Sequence, residues 1–182
     1  MKVLAIDTST SVASVAIVDD KGLLGEYTIN DNKTHSQKLV PMLEELLRNL
    51  KLGVNDIDVF AAVTGPGSFT GLRIGVTTVK SLAYAANKPV VGITSLDALA
   101  GGAAADENDY TCPIMDARNN QVYTALYKKS NGVMVNTSGY MGIHISELVK
   151  FLEDREGKII FTGDAVRLHR DFLKIELKNR CV

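Results

Sequence analysis

Two short stretches carry residues of the kind that handle phosphate. Gly65-Pro66-Gly67-Ser68-Phe69-Thr70-Gly71 lies between an apolar run and a long helical pattern, where backbone amides and the helix dipole favour an anion. It is not a P-loop: the GxxxxGK motif needs Lys and then Ser or Thr, and here Leu72-Arg73 follow the last glycine. Two readings stand, an anion site or a tight strand-to-helix turn. The second stretch is Asp7-Thr8-Ser9-Thr10, an acid and three hydroxyls directly after the first apolar run. A phosphate-cradling hairpin of the form Asp-x-Gly-x-Thr/Ser uses its glycine to bring the backbone close to phosphate oxygens. Here Ser9 holds that position, and Asp116-Ala117-Arg118 further on also lacks glycine. Closure of the turns by Asp7 and Asp116 through local hydrogen bonds is the better reading at both places.

Other chemistries have less to build on. His35, His144 and His169 form no i, i+4 pair and have no cysteine or carboxylate at ligand spacing, so no metal site is expected. A Ser–His–Asp set can assemble from distant positions, but nothing singles one out. His35, Ser36 and Gln37 at a helix start read as a cap and a surface contact. Cys112 and Cys181 lie far apart without CxxC spacing and read as free thiols of a reducing compartment. The expectation is a chain with no catalytic residue and no cofactor of its own.

The elements that must position these residues follow from periodicity. Val3–Ile6 is a short buried strand ending at Asp7, Val12–Val18 a second strand, and Leu23–Ile29 a third after the turn Asp19-Asp20-Lys21-Gly22. Leu39, Leu43, Leu46, Leu47 and Leu50 form a helical stripe that Gly53 is placed to end, with Pro41 either in the first turn or bending the helix. Val59–Thr64 is a strand, Thr70–Ala86 a helix, Pro89–Ile93 a strand, and Ser95 a candidate N-cap for a helix through Ala105. The order βββαβαβα then restarts after Asp106-Glu107-Asn108-Asp109. Ile6-Asp7, Val15-Ala16-Ile17 and Gly22 are matched by Met115-Asp116, Thr124-Ala125-Leu126 and Gly132, and Val63-Thr64-Gly65 by Phe161-Thr162-Gly163. This internal repeat is the organisation of the actin, sugar-kinase and Hsp70 superfamily: an α/β fold of duplicated actin-like, ribonuclease H-like lobes. Residues 1–105 are expected to form the first lobe and residues 106–182 a shorter second one.

The helix 70–86 is the most informative segment. Leu72, Val76, Val79 and Ala83 form one face, small or apolar groups fill another, and only Arg73 and Lys80 interrupt the girdle. Such a helix is buried on more than one side. Gly71 and Gly75, one turn apart, invite close approach of another backbone, since mid-helix glycine costs about 1 kcal/mol against alanine. With the preceding leucine helix the segment is expected to present a two-helix surface to a partner. The expected interface residues are Ser36, Leu39, Leu43, Gly71, Leu72, Gly75 and Val79. The competing reading is close packing inside the lobe.

Bulk properties set outer bounds. The 182 residues are 46% hydrophobic and 23% charged, with a net charge of −1. That is globular composition with no broad reason to bind nucleic acid or an anionic membrane directly. The apolar start is too short for a signal peptide and no run reaches membrane-spanning length, so a cytoplasmic location is expected.

Particular residues resemble the TsaB (YeaZ) family. They are Leu4-Ala5-Ile6-Asp7-Thr8-Ser9, His35-Ser36-Gln37 with Leu39 and Pro41, and Gly65 through Gly75. Val91-Gly92-Ile93-Thr94-Ser95-Leu96 and Asp116-Ala117-Arg118 with Val122-Tyr123 complete the set. The resemblance covers nearly all of residues 1–130. It implies a non-enzymatic partner of the TsaD transferase, working with the TsaE ATPase to install threonylcarbamoyl on adenosine 37 of tRNA (t6A). It also implies a homodimer in isolation through the same helices, with tRNA met only through the complex and any nucleotide at a complex interface. TsaD carries a His-x-x-x-His motif, which this chain lacks. Two departures stand out: the chain is short for the family, and Ala165 follows Gly163-Asp164 where glycine is common. Two rivals remain, a small-molecule kinase of the same fold and a glycoprotease-like peptidase, for which no constellation is found.

Overall fold

Alternation of apolar side chains makes the first sheet. In the computed structural model, which describes residues 1–30 and 35–182, β1 (Val3–Asp7), β2 (Val12–Asp19) and β3 (Gly22–Asn30) form an antiparallel meander with Val3 opposite Val18. Leu4, Ile6, Ala13, Val15 and Ile17 all point to one face and are buried there. The helix α1 (His35–Leu50) lays Leu39, Met42, Leu43, Leu46 and Leu47 against them, with Pro41 in its interior. β4 (Val59–Val63) pairs parallel with β1, and β5 (Val90–Ile93) parallel with β4. The long helix α2 (Phe69–Ala86) connects them and α3 (Ser95–Gly101) follows. The sheet order is β3-β2-β1-β4-β5, the expected βββαβαβα.

The helix ends differ from expectation. Gly53 does not stop α1; Lys51 does, with φ of 55°. The amide of Leu52 donates to the Leu47 carbonyl at 2.9 Å and that of Lys51 to Arg48 at 3.1 Å, the paired bonds of a Schellman cap. Asn87 ends α2 the same way, with φ of 52° and Lys88 N donating to Ala83 O at 2.9 Å. Ser95 is no cap either. It is the first residue of α3, and its hydroxyl donates to the Pro66 carbonyl at 2.6 Å.

The second unit repeats the plan. β6 (Tyr110–Asp116) is paired antiparallel by β7 (Gln121–Thr124) and β8 (Tyr127–Ser130) in one register, Ile114 opposite Thr124 and Thr111 opposite Tyr127. Between them stands Pro113, which has no N–H for a ladder. There Leu126 turns away, its amide donating to Ser138 Oγ and its carbonyl accepting from Thr137. The single strand expected over Val122–Tyr127 is therefore split. β9 (Val133–Asn136) and β10 (Met141–His144) continue the edge, α4 (Ile145–Glu153) follows, and β11 (Ile159–Thr162) runs parallel to β6. Helix α5 (Val166–Leu177) then packs on α4, and Cys181 bridges Ile159 in parallel.

The chain divides into Met1–Ser95 and Leu96–Val182. The expected boundary after residue 105 falls too late, because Leu96 and Ala100 of α3 are buried with Met115, Ala125 and Tyr127 of the second unit. Its other core gathers Cys112, Ile114, Leu148, Leu152, Leu173 and neighbours beneath α4 and α5. Among the described residues no helix is long and apolar enough to cross a membrane.

Candidate functional site

The glycine-rich segment folds down onto the β1–β2 turn. Asp7 Oδ1 accepts the Ser9 amide at 2.8 Å, closing an Asx turn. Thr8 and Ser9 are buried. The Ser9 carbonyl accepts from Ser68 N at 2.6 Å, and the Thr8 hydroxyl donates to the Gly71 carbonyl at 2.7 Å. Gly67, Gly71 and Gly75 face this turn at distances no side chain tolerates. A Cβ on Gly67, whose φ is 154°, would stand 2.3 Å from the Ser9 carbonyl oxygen; one on Gly71, 2.0 Å from that of Thr8; one on Gly75, 2.4 Å from the Thr8 hydroxyl. The first turn of α2 is further closed by Ser68, whose Oγ accepts from Gly71 N at 3.2 Å. Of the two readings of the glycine segment, the tight strand-to-helix turn is the one the geometry supports.

The corresponding turn of the second unit uses the same local bond. Asp116 Oδ1 accepts the Arg118 amide at 2.8 Å, and Asp164 Oδ1 accepts the Asp116 amide at 3.1 Å. Each histidine is engaged in structure. His35 Nε2 lies 2.7 Å from the Thr10 carbonyl, His144 caps α4 by accepting from Ser146 N, and His169 is buried on α5. Among the described residues no group of three or more His, Cys, Asp or Glu could hold a metal ion. Burial pushes the Cys112 thiol up to about 12, against a small opposing effect from the Thr124 hydroxyl, so it stays a thiol.

Most of the expected interface residues prove to be interior. Leu39, Leu43 and Val79 belong to the first unit's own core, and Gly71 and Gly75 face Thr8, just past the end of β1. Leu72 is half-buried, with its side chain 3.1 Å from where a Cβ on Gly65 would lie. Close packing within the lobe is thus the reason for the glycine pair, and the outward face is built from other positions. A groove of 350 Å³ runs between α1 and α2, lined by Ser36, Leu39, Val40, Arg73, Ile74, Thr77 and Thr78. Of the expected set only Ser36 and Leu39 line it, Leu39 as its floor. At its end Arg73 stacks on Phe69, 3.9 Å from the ring centre, and Tyr84 stands 90% exposed further along α2. The sequence signal for this face is Arg73 and Lys80, which read as interruptions of an apolar girdle rather than as its outer surface.

A family model described as "TsaD: tRNA N6-adenosine threonylcarbamoyltransferase" matches residues 22–177. The tRNA threonylcarbamoyladenosine biosynthesis protein TsaB of Bacillus subtilis is 31% identical over 96% of this chain and 76% of its own length. The chain belongs to the TsaB family. The TsaD match sets that membership within a broader group of one fold. The solved structure of YeaZ from Pseudomonas aeruginosa superposes with a TM-score of 0.70 at 32% identity, covering 78% of this chain and 66% of that one. An activator of 2-hydroxyisocaproyl-CoA dehydratase from Clostridium difficile, solved with bound ADPNP, covers the whole chain with a TM-score of 0.54 at 12% identity. That likeness shows the actin-like fold and nothing further.

Proposed function

We propose that the chain is a non-catalytic scaffold subunit of the assembly that makes tRNA threonylcarbamoyladenosine. It docks a TsaD-like transferase, acts beside a TsaE-like ATPase, and pairs with itself when alone through the same α1–α2 face. Its place is the cytoplasm, tRNA is met through the complex, and any nucleotide sits at a subunit interface. The observation that carries this reading is the open groove between α1 and α2, apolar along Val40 and Ile74 and polar at Arg73. It supports docking of a helix by apolar anchors with a polar rim. The covered β1–β2 turn counts against the kinase alternative, since the backbone that would cradle phosphate is engaged with Ser68 and Gly71.

Val40 and Thr77 are both exposed, so Val40→Asp with Thr77→Asp is expected to leave the fold intact. Light scattering should show a monomer, and binding to the TsaD-like subunit of the same genome should weaken about thirtyfold, near 2 kcal/mol. Mass spectrometry of tRNA nucleosides from cells carrying only the variant should show t6A depleted. Undiminished TsaD binding would move the docking face elsewhere. Saturable Mg-ATP binding with turnover by the lone chain would favour the kinase.

A further inference from the structure

Helix α5 turns His169, Leu173 and Leu177 inward. What it leaves outside is a cation arc and an apolar arc, with the exposed Asp171 between them. Arg167, Arg170, Lys174 and Lys178, the last just past the helix end, are exposed and fall within an arc of about 80° at 100° per residue. Leu168, Phe172 and Ile175 fill an adjoining arc of about 60°, and Leu168 and Ile175 keep 66% and 70% of their surface exposed. Among the described residues none of the four cations makes a hydrogen bond or ion pair, although Asp171 and Glu176 lie on the same helix. Residues 166–182 carry five Lys or Arg against two acids, net +3, in a chain of net −1. The fifth cation, Arg180, is spent inside the fold, where it donates to the carbonyls of Leu152, Glu153 and Arg155 at the end of α4.

A basic line beside an exposed aliphatic line is costly to leave bare twice over, by apolar exposure and by like-charge repulsion. The place of α5 in its unit is that of α2 in the first, each following the strand that runs parallel to the unit's first strand. The outer face of α2 likewise sets exposed Phe69 and Tyr84 beside Arg73 and Lys80.

We propose that the outer face of α5 docks an acidic amphipathic protein segment, with apolar anchors for Leu168, Phe172 and Ile175 and carboxylates for the cation line. A second copy meeting it with the same face would bring net +3 against net +3. RNA would satisfy the cations and leave Leu168 and Ile175 without a counterpart, whereas a protein segment supplies both. The surface lies in the second unit and is independent of the α1–α2 groove.

The test titrates the full chain with a labelled synthetic helical peptide bearing leucines on one face and glutamates on both flanks. A twin with glutamine for glutamate serves as its control, and fluorescence anisotropy is the readout. Saturable binding is expected, about tenfold weaker for the glutamine peptide and weaker again as salt is raised. Arg170→Glu with Lys174→Glu should abolish it, and so should Leu168→Ser with Ile175→Ser, while Leu168→Met with Ile175→Met retains it. All these positions are exposed, so melting should not change. No saturable binding, or binding indifferent to both pairs, overturns the proposal. A tRNA transcript that binds in place of the peptide, lost on charge reversal yet indifferent to the serine pair, overturns it in favour of RNA.

Discussion

The two hairpin turns, β1–β2 and β6–β7, begin alike and end differently. Each has an aspartate at the end of its first strand, and each aspartate accepts the amide two residues on at 2.8 Å. The first turn is then buried, Thr8 and Ser9 lying under the glycine series of α2. The second stays open, and Arg118, Asn119 and Asn120 all take positive φ, 66°, 51° and 57°. The difference comes from the loop that follows each unit's central parallel strand. In the first unit that loop and its helix supply Gly67, Gly71 and Gly75 at successive approaches to the turn. In the second, Gly163 alone makes a comparable approach, with a Cβ position 2.3 Å from the Ile114 carbonyl, and Asp164 then holds the Asp116 amide. Local turn chemistry sets how a hairpin closes, and the spacing of glycines elsewhere decides whether anything lies on top of it.

Breaking the cover should give the largest effect. Gly71→Ala places a Cβ 2.0 Å from the Thr8 carbonyl oxygen, a main-chain atom of the buried β1–β2 turn that cannot rotate away as a side chain could. The expected loss is about 3 kcal/mol, seen as a melting temperature lower by about 6–12 °C. An unchanged melt would refute the contact.

The next effect is smaller and can be reversed. A Cβ on Gly75 meets the Thr8 hydroxyl at 2.4 Å, so Gly75→Ala should cost about 1–3 kcal/mol. Thr8→Ala removes that hydroxyl, at a cost of about 1 kcal/mol for its hydrogen bond to Gly71 O. In the double variant alanine's better helix propensity, about 1 kcal/mol, is left unopposed. The pair should therefore show a coupling of at least about 1 kcal/mol in a double-mutant cycle by chemical denaturation. Thr8→Ala should not rescue Gly71→Ala, because the carbonyl remains. Equal rescue of both would mean that the loop moves as a body.

The repeat, the strand order and the leucine stripe of α1 are all legible in the sequence, because each is a period of apolar residues that a sheet or helix must bury. The glycine pair is legible as a demand for close approach. What approaches is not, since Thr8 lies 63 residues from Gly71 in the chain. Leu39 and Leu43 read as partner-facing in the sequence yet lie in the core, because a leucine stripe looks the same whether it meets its own sheet or a partner. A serine ahead of a helical pattern signals a cap, yet the partner of Ser95 is the carbonyl of Pro66, 29 residues away. The cap at Lys51 is not legible, because a left-handed lysine carries no signal in its type. The two-helix face is legible through Ser36 and Leu39, but Val40, Arg73, Ile74, Thr77 and Thr78, which also line its groove, are not, because no period of buried apolar residues marks an outward-facing line.

The finest test sets the two turns against each other at matching positions, Ser9 and Arg118, each two residues after its aspartate. Both keep their amide bond to that aspartate whatever side chain they carry, since the donor is main chain. Ser9 has a negative φ and Arg118 a φ of 66°. A left-handed conformation costs an L-residue about 1–2 kcal/mol, which glycine escapes, while glycine in the unfolded chain has about 0.5–1 kcal/mol more entropy to lose. Arg118→Gly should then stabilise the second unit by about 0.5–1 kcal/mol, whereas Ser9→Gly gains no relief and should destabilise the first by a similar amount. The two substitutions are the same chemistry at equivalent places, so opposite signs in urea unfolding would isolate backbone strain as the cause. Destabilisation by both would mean that the Arg118 side chain, exposed as it is, contributes something beyond its conformation. Arg118→Ala, which keeps the strain and removes the side chain, would then reproduce the loss.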